Sequence, residues 1–180
     1  MKIHSILDWS CANGPNCRFV VWVQGCSRHC DGCFNPDAQS FTGGMEMTCS
    51  DILASVDKKK VTGLTVSGGE PFEQEKELTE LLIAAKNTGL DTLVYTGFTW
   101  EELSGRRSTA LKYCDYLVDG PFEKDKPSTC RWAGSGNQRF LQLQNGIITG
   151  DMTDNEPFSE MGEIVIGGNG TVVTTGFLNI

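Results

Sequence analysis

Apolar residues recur along this chain with two different periods, and the switches between them mark the elements. The run Phe19-Val20-Val21-Trp22-Val23-Gln24 is continuously β-branched and aromatic, which predicts a buried strand ending at Gly25. The following twenty residues are rich in Cys, Gly, Asn, Asp and Ser and read as a loop. Thr48 with Asp51 three residues on predicts a capping box and a helix running towards Val56. A second strand is expected over 63–67, closed by Gly68-Gly69. Leu78, Leu81, Leu82 and Ala85 fall at i, i+3, i+4 and i+7, predicting a helix from about 73 to 88 that Gly89 stops. Strands follow at 91–95 and 116–118, with Thr99 and Glu102 opening a further helix between them. Strand, helix, strand, helix, strand predicts an α/β protein with a mainly parallel sheet. Beyond Pro127 the pattern changes to short strands at 139–143, 163–166 and 171–175 separated by Gly-rich turns. They suit an antiparallel edge or a small subdomain.

The 180 residues suit one domain spanning 1–180, with a core of about 14–145 and a C-terminal extension of about 146–180. A complete eight-fold β/α barrel typically needs about 250 residues and does not fit. With 39% apolar and 21% charged residues and a mean hydropathy of −0.23, the chain can bury a core. It holds no run long and apolar enough to cross a membrane. The start, Met1-Lys2-Ile3-His4, leads into mixed sequence rather than an apolar leader, so the expected location is the cytoplasm. A net charge of −8 argues against direct nucleic-acid binding. Eight cysteines are many for such a chain, and a reducing cytoplasm disfavours a disulfide framework.

Only one cysteine group is tight: Cys26, Cys30 and Cys33 lie within eight residues. Soft sulfur ligands favour zinc or an iron–sulfur cluster. Structural zinc wants four closed ligands, and His29 could complete such a site only in a strained geometry. Three thiolates on a four-iron cubane leave one iron open to a substrate, and this reading fits best. Cys11, Cys17, Cys49, Cys114 and Cys130 show no ligand spacing and read as buried or incidental thiols. In Ser67-Gly68-Gly69-Glu70-Pro71, two glycines bare the backbone to a ligand and Glu70 can accept from an ammonium group. Thr96, ending a strand, reads as a cofactor-side hydroxyl. Arg18 is either a structural salt-bridge partner or part of an active-site mouth. The triplet Lys58-Lys59-Lys60 reads as a solvated helix end. Trp9, Trp22 and Trp100 suit core or rim positions.

The Cys-x3-Cys-x2-Cys loop after the first strand, together with Gly68-Gly69-Glu70-Pro71, resembles the radical S-adenosylmethionine superfamily. Further motifs narrow the likeness: Asn13-Gly14-Pro15, Arg18, Val23-Gln24-Gly25-Cys26, Gly32-Cys33-Phe34-Asn35-Pro36, Tyr95-Thr96-Gly97-Phe98, Asp119-Gly120-Pro121-Phe122 and Ser135-x-Asn137-Gln138-Arg139. In this order they look like the activating proteins of anaerobic ribonucleotide reductase, with Thr174-Thr175-Gly176-Phe177 resembling that family's terminal segment. The resemblance implies a partial, incomplete β/α barrel with a mainly parallel sheet and a small antiparallel C-terminal extension. It implies one [4Fe-4S] cluster on Cys26, Cys30 and Cys33, with S-adenosylmethionine held by Gly32, Cys33, Phe34, Gly68, Gly69, Glu70 and Thr96. It implies a large glycyl-radical enzyme as protein substrate and a flavodoxin- or ferredoxin-like electron donor. The substrate mouth is then expected near 119–122 and 131–139, with Trp132 facing the partner. The segment 123–134, carrying Lys124, Lys126, Cys130 and Trp132, and the long tail depart from the family pattern. The alternatives are a small-molecule or peptide radical enzyme, such as a 7-carboxy-7-deazaguanine synthase-like protein, and a zinc-binding structural module.

Overall fold

The computed structural model describes residues 1–155, 161–166, 170 and 172–177. Its main body is one eight-stranded sheet. β1 (Lys2–Ser10) pairs antiparallel with β2 (Arg18–Val23), and the short β3 (Met45–Glu46) edges β1. β2 runs parallel to β4 (Gly63–Gly68), β4 to β5 (Asp91–Tyr95), and β5 to β6 (Tyr116–Asp119). β7 (Arg139–Gln144) and β8 (Ile147–Asp151) continue the sheet antiparallel.

This mixed, open sheet corrects the expectation of a partial β/α barrel with a mainly parallel sheet. Only the three pairings from β2 to β6 are parallel, and the order runs from β3 at one edge to β8 at the other. The cause lies after β6. Residues 120–138 form turns and no helix, and a parallel return needs a crossover, usually helical. The chain therefore comes back antiparallel as β7. Asn145 and Gly146, at φ 53° and 81°, then make a two-residue turn that folds β8 onto β7. The tail thus divides: β8 joins the main sheet, while β9 (Met161–Ile166) and β10 (Val172–Phe177) form a separate antiparallel hairpin. Thr171, expected in the last strand, lies outside the described residues.

Helices cover one face. α1 (Cys49–Ala54) starts on the expected Thr48–Asp51 capping box, and α3 (Trp100–Gly105) on its counterpart at Thr99 and Glu102. α2 (Glu75–Asn87) buries Leu78, Leu81 and Leu82 completely, each worth about 1.5–3 kcal/mol relative to exposure. They pack with Val21, Val23, Leu64, Val66, Val94 and Leu117. Alternate residues of the same strands face the other side. There Leu93, Val118 and Phe140 meet Cys130, Trp132 and Ala133, and Val20 and Trp22 meet Leu7. Trp132 is only 4% exposed, so it closes this second core rather than facing a partner. Trp22 is buried and Trp9 is not. The lysine triplet is exposed, but in a turn beyond the end of α1.

Arg18 is structural. Its guanidinium is wholly buried, forms an ion pair with Asp91 at 2.6 Å, and donates to Thr65 Oγ1 at 2.7 Å and to the Pro15 carbonyl at 3.1 Å. Nearby, Cys11 and Cys17 are joined in a disulfide, which corrects the expectation of free thiols. The sheet explains it: β1 and β2 pair as far as Ser10 opposite Arg18. The next residues in each direction are then Cys11 and Cys17, with Cα atoms 4.3 Å apart.

Candidate active site

The cysteine loop leaves the carboxyl end of β2 and is tied back onto it. Gly25 N–H donates to the Ala38 carbonyl at 2.8 Å and Cys26 N–H to the Gln39 carbonyl at 2.9 Å. The Gln24 amide donates to the carbonyls of Asp37 at 3.0 Å and Ser40 at 2.7 Å, closing the return. Within the loop, Arg28 N–H donates to Cys26 Sγ and Asn35 N–H to Cys33 Sγ, each at 3.4 Å. Burial pushes the Cys26 thiol above its ordinary value, while the Arg28 N–H pulls the other way.

Cys26, Cys30 and Cys33 all line one cavity of about 460 Å³. Ser67, Gly68, Gly69, Glu70, Tyr95, Thr96 and Gly97, from the carboxyl ends of β4 and β5, line it too. Ligands of open α/β sheets bind at such strand ends. Phe34 sits at the same cavity, 53% exposed, with its ring 4.8 Å from that of Phe122. The donor set suits a cubane: three soft sulfurs face a shared space, and two already accept N–H bonds of the kind that tunes iron–sulfur clusters. Among the described residues no three His, Cys, Asp or Glu groups are spaced to hold a single metal ion.

Gly68 and Gly69 serve the protein itself as well as any ligand. Gly68 has φ +105°, and a β-carbon there would strike the backbone of Trp22 and Val23; at Gly69 it would strike the Gly25 carbonyl. The bare pair lets the end of β4 press against β2 and the cysteine loop. Gly69 N–H reaches the Val23 carbonyl and Glu70 N–H the Gly25 carbonyl, both at 2.8 Å. Glu70 is 1% exposed. Its Oε1 accepts from Phe72 N–H at 3.0 Å and the Thr96 hydroxyl at 2.8 Å, and its Oε2 from Gly97 N–H at 2.8 Å. A carboxylate offers about four acceptor positions, so among the described residues one is left, on Oε2. Burial raises the carboxyl to about 7, opposed by these donors and by the charge of Arg28.

Not every expected residue reaches the cavity. Gly32 is exposed and lies outside the lining, beneath the Lys124 side chain, whose ammonium pairs with Asp31 at 2.5 Å. From the expected mouth, Phe122, Gly134 and Gln138 line the cavity, whereas Asp119 is buried in an ion pair with Arg139. Sequence reasoning missed Asn13, Trp22 and residues 173–176 as lining. Asn13 and Tyr95 belong to motifs already noted, but nothing in the pattern places the terminal segment beside the cysteines.

Comparison with known proteins decides the family. A family model described as a 4Fe-4S single cluster domain matches residues 12–141. The anaerobic ribonucleoside-triphosphate reductase-activating protein of Enterobacteria phage T4 is 34% identical over 154 residues, covering 82% of this chain and 97% of its own. The protein of the same name from Escherichia coli K12 is 32% identical over 155 residues, covering 80% and 100%. That from Pasteurella multocida is 36% identical over 147 residues, covering 72% and 92%. The chain belongs to this family of activating proteins. An iron–sulfur cluster of the four-iron type goes with that membership, and no helix among the described residues is long and apolar enough to cross a membrane.

Proposed function

We propose that this activating enzyme holds one [4Fe-4S] cluster on Cys26, Cys30 and Cys33, binds S-adenosylmethionine beside it, and makes the glycyl radical of an anaerobic ribonucleotide reductase. It works as one cytoplasmic domain and draws its electron from a flavodoxin- or ferredoxin-like donor. The observation that carries the reading is the meeting of three thiols with the Gly68-Gly69-Glu70 turn and Thr96 in one cavity. A bound, reduced cluster would supply one electron for cleaving the sulfonium to methionine and a 5′-deoxyadenosyl radical, which would take a hydrogen atom from the acceptor glycine.

The chain's own residues do the rest. Cys26, Cys30 and Cys33 would hold the cluster by three thiolates, and such a cluster would offer a binding position for the amino and carboxylate groups of S-adenosylmethionine. The N–H groups of Arg28 and Asn35 stabilise negative charge on the sulfurs of Cys26 and Cys33. The free acceptor position on Glu70 Oε2 suits the methionyl ammonium, and the low dielectric around that carboxylate strengthens the contact. Thr96 fixes the carboxylate through its hydroxyl. The Phe34 ring lines the cavity and is 53% exposed, and an aromatic ring there suits stacking on adenine.

Anaerobic reconstitution tests the reading. The reduced protein should bind iron and sulfide and convert S-adenosylmethionine to 5′-deoxyadenosine and methionine. Conversion should be lost, with most of the iron, when Cys30 is replaced by Ala. A Cys30→Ala protein with full iron content would overturn the ligand assignment.

A further inference from the structure

The cavity extends across the sheet. Its lining includes His4 and Ser5 of β1, Trp22 of β2, Ser67 of β4 and Tyr95 of β5, strands that neighbour one another in that order. At about 4.8 Å per strand, β1 lies about 14 Å from β5. The cofactor reading uses the cysteine loop, Glu70, Thr96 and Phe34, and leaves the β1 end without a role.

A local irregularity aims two side chains at that end. Ile3 pairs with Val23 and Ser5 with Trp22, so between these pairs β1 has one residue more than β2. A bulge of this kind re-aims side chains. Neighbours on a regular strand point to opposite faces, yet here His4 and Ser5 both line the cavity. Gln74 holds the strand just before the bulge, accepting from Lys2 N–H at 2.6 Å and donating to the Lys2 carbonyl at 3.0 Å.

The His4 ring is set by its partner. Nδ1 lies 3.0 Å from Gln24 Oε1. The Gln24 amide nitrogen already donates to the Asp37 and Ser40 carbonyls, so it is the oxygen that faces His4, and that oxygen can only accept. Nδ1 therefore carries the hydrogen, and in the neutral ring Nε2 is an acceptor. Among the described residues neither Nε2 nor the Ser5 hydroxyl has a partner, and both residues are exposed. A glycine has no side chain, so a site that takes its hydrogen atom can hold it only through backbone groups. An acceptor next to a hydroxyl donor matches one N–H and one carbonyl of an extended chain.

We propose that His4 and Ser5 bind the backbone of the protein substrate beside its acceptor glycine, His4 Nε2 accepting from an N–H and the Ser5 hydroxyl donating to a carbonyl. This rests on the activase reading above.

Two variants separate the ring nitrogens. His4→Asn keeps a donor for Gln24 Oε1 and removes the Nε2 acceptor. His4→Gln places a carboxamide where Nε2 was and gives up the Gln24 bond. The probe is a capped peptide spanning the reductase's acceptor glycine, titrated by calorimetry into the unreduced holoprotein with S-adenosylmethionine bound. Loss of one neutral hydrogen bond should weaken peptide binding about three- to tenfold in His4→Asn. The KM for the reductase should rise by a similar factor, with kcat affected less. His4→Gln should bind the peptide nearly as the wild type does, and both variants should keep wild-type iron content and S-adenosylmethionine binding. Wild-type peptide affinity in His4→Asn would overturn the proposal, as would a peptide that does not bind the wild-type protein. The reverse order, with His4→Gln the weaker binder, would also overturn it, because the bond to Gln24 would then be what matters. Weakened S-adenosylmethionine binding in His4→Asn would overturn it too, by making His4 a cofactor contact. Peptide binding in the expected order with no glycyl radical formed on the reductase would count against the activase reading alone.

Discussion

The Thr96 hydroxyl donates to Glu70 Oε1 at 2.8 Å and, in the other direction, accepts from Phe98 N–H at 3.1 Å. This one side chain ties the turn after β4 to the turn after β5, and both turns face the cysteine loop.

Thr96→Val keeps the shape and removes both bonds. A buried acceptor and a buried donor each lose a partner, so urea denaturation should show a loss of about 1–3 kcal/mol. Thr96→Ser should restore most of it, since only the hydroxyl is at issue. Equal stability of the Val variant would mean that the two turns hold together without this tie.

Glu70→Gln puts an amide nitrogen against one of the N–H or O–H donors that the carboxylate now satisfies. Iron content should stay at the wild-type level while S-adenosylmethionine binding, measured by calorimetry, weakens about 5–30-fold. The same residue imposes a pH dependence. Its folded value of about 7 lies above the ordinary 4.5, so the folded state holds the proton more tightly than the unfolded one. The group therefore costs nothing below pH about 4.5, costs progressively more as pH rises towards 7, and costs its full amount of about 3 kcal/mol above that. Urea denaturation of the cluster-free protein between pH 4.5 and 7 should show this decline in the wild type, and Glu70→Gln should flatten it.

Arg18→Met removes a buried cation from beside Asp91 and strips donors from Thr65 and Pro15. Breaking such a pair should cost about 3–5 kcal/mol in urea denaturation. Cluster content and adenosine cleavage per folded molecule should stay unchanged, because Arg18 does not line the cavity. Loss of cleavage with full stability would instead place Arg18 in the chemistry.

Cys11→Ser should lower stability by about 2 kcal/mol, the entropy released by opening a short loop. Its iron content should match the wild type, as should that of Cys49→Ala and Cys114→Ala. Loss of iron in any of these three variants would mean that ligands beyond Cys26, Cys30 and Cys33 hold the cluster.

The parts of the fold that were legible in the sequence are those where one local rule acts alone. The face of α2, the capping boxes at Thr48 and Thr99, and the all-apolar β2 each follow from periodicity or a single side-chain bond. β1 escaped because register shifts between Ile3 and Ser5, and between Leu7 and Ser10, interrupt its alternation. β8 escaped although Asn145-Gly146 signals a tight hairpin. The barrel expectation failed because strand direction after β6 depends on what 120–138 does not form. Three cysteines at fixed spacing fold into one loop, so the motif alone brought them to one cavity. In sequence the glycine pair reads as room for a ligand, but its close neighbours are the backbones of β2 and the cysteine loop. The disulfide and the lining by 173–176 depend on strand pairing and on contacts across more than 150 residues, such as Asn13 with Thr175, which no local pattern carries.

The central claim is that three thiols in this cavity support a radical passed to a protein glycine. Electron paramagnetic resonance of the partner reductase tests it most directly, after anaerobic incubation with the reduced, reconstituted protein and S-adenosylmethionine. A glycyl radical doublet on the reductase that needs both the protein and S-adenosylmethionine, and that disappears with Cys30→Ala, is the predicted result. Full cleavage of S-adenosylmethionine with no radical on the reductase would contradict the account.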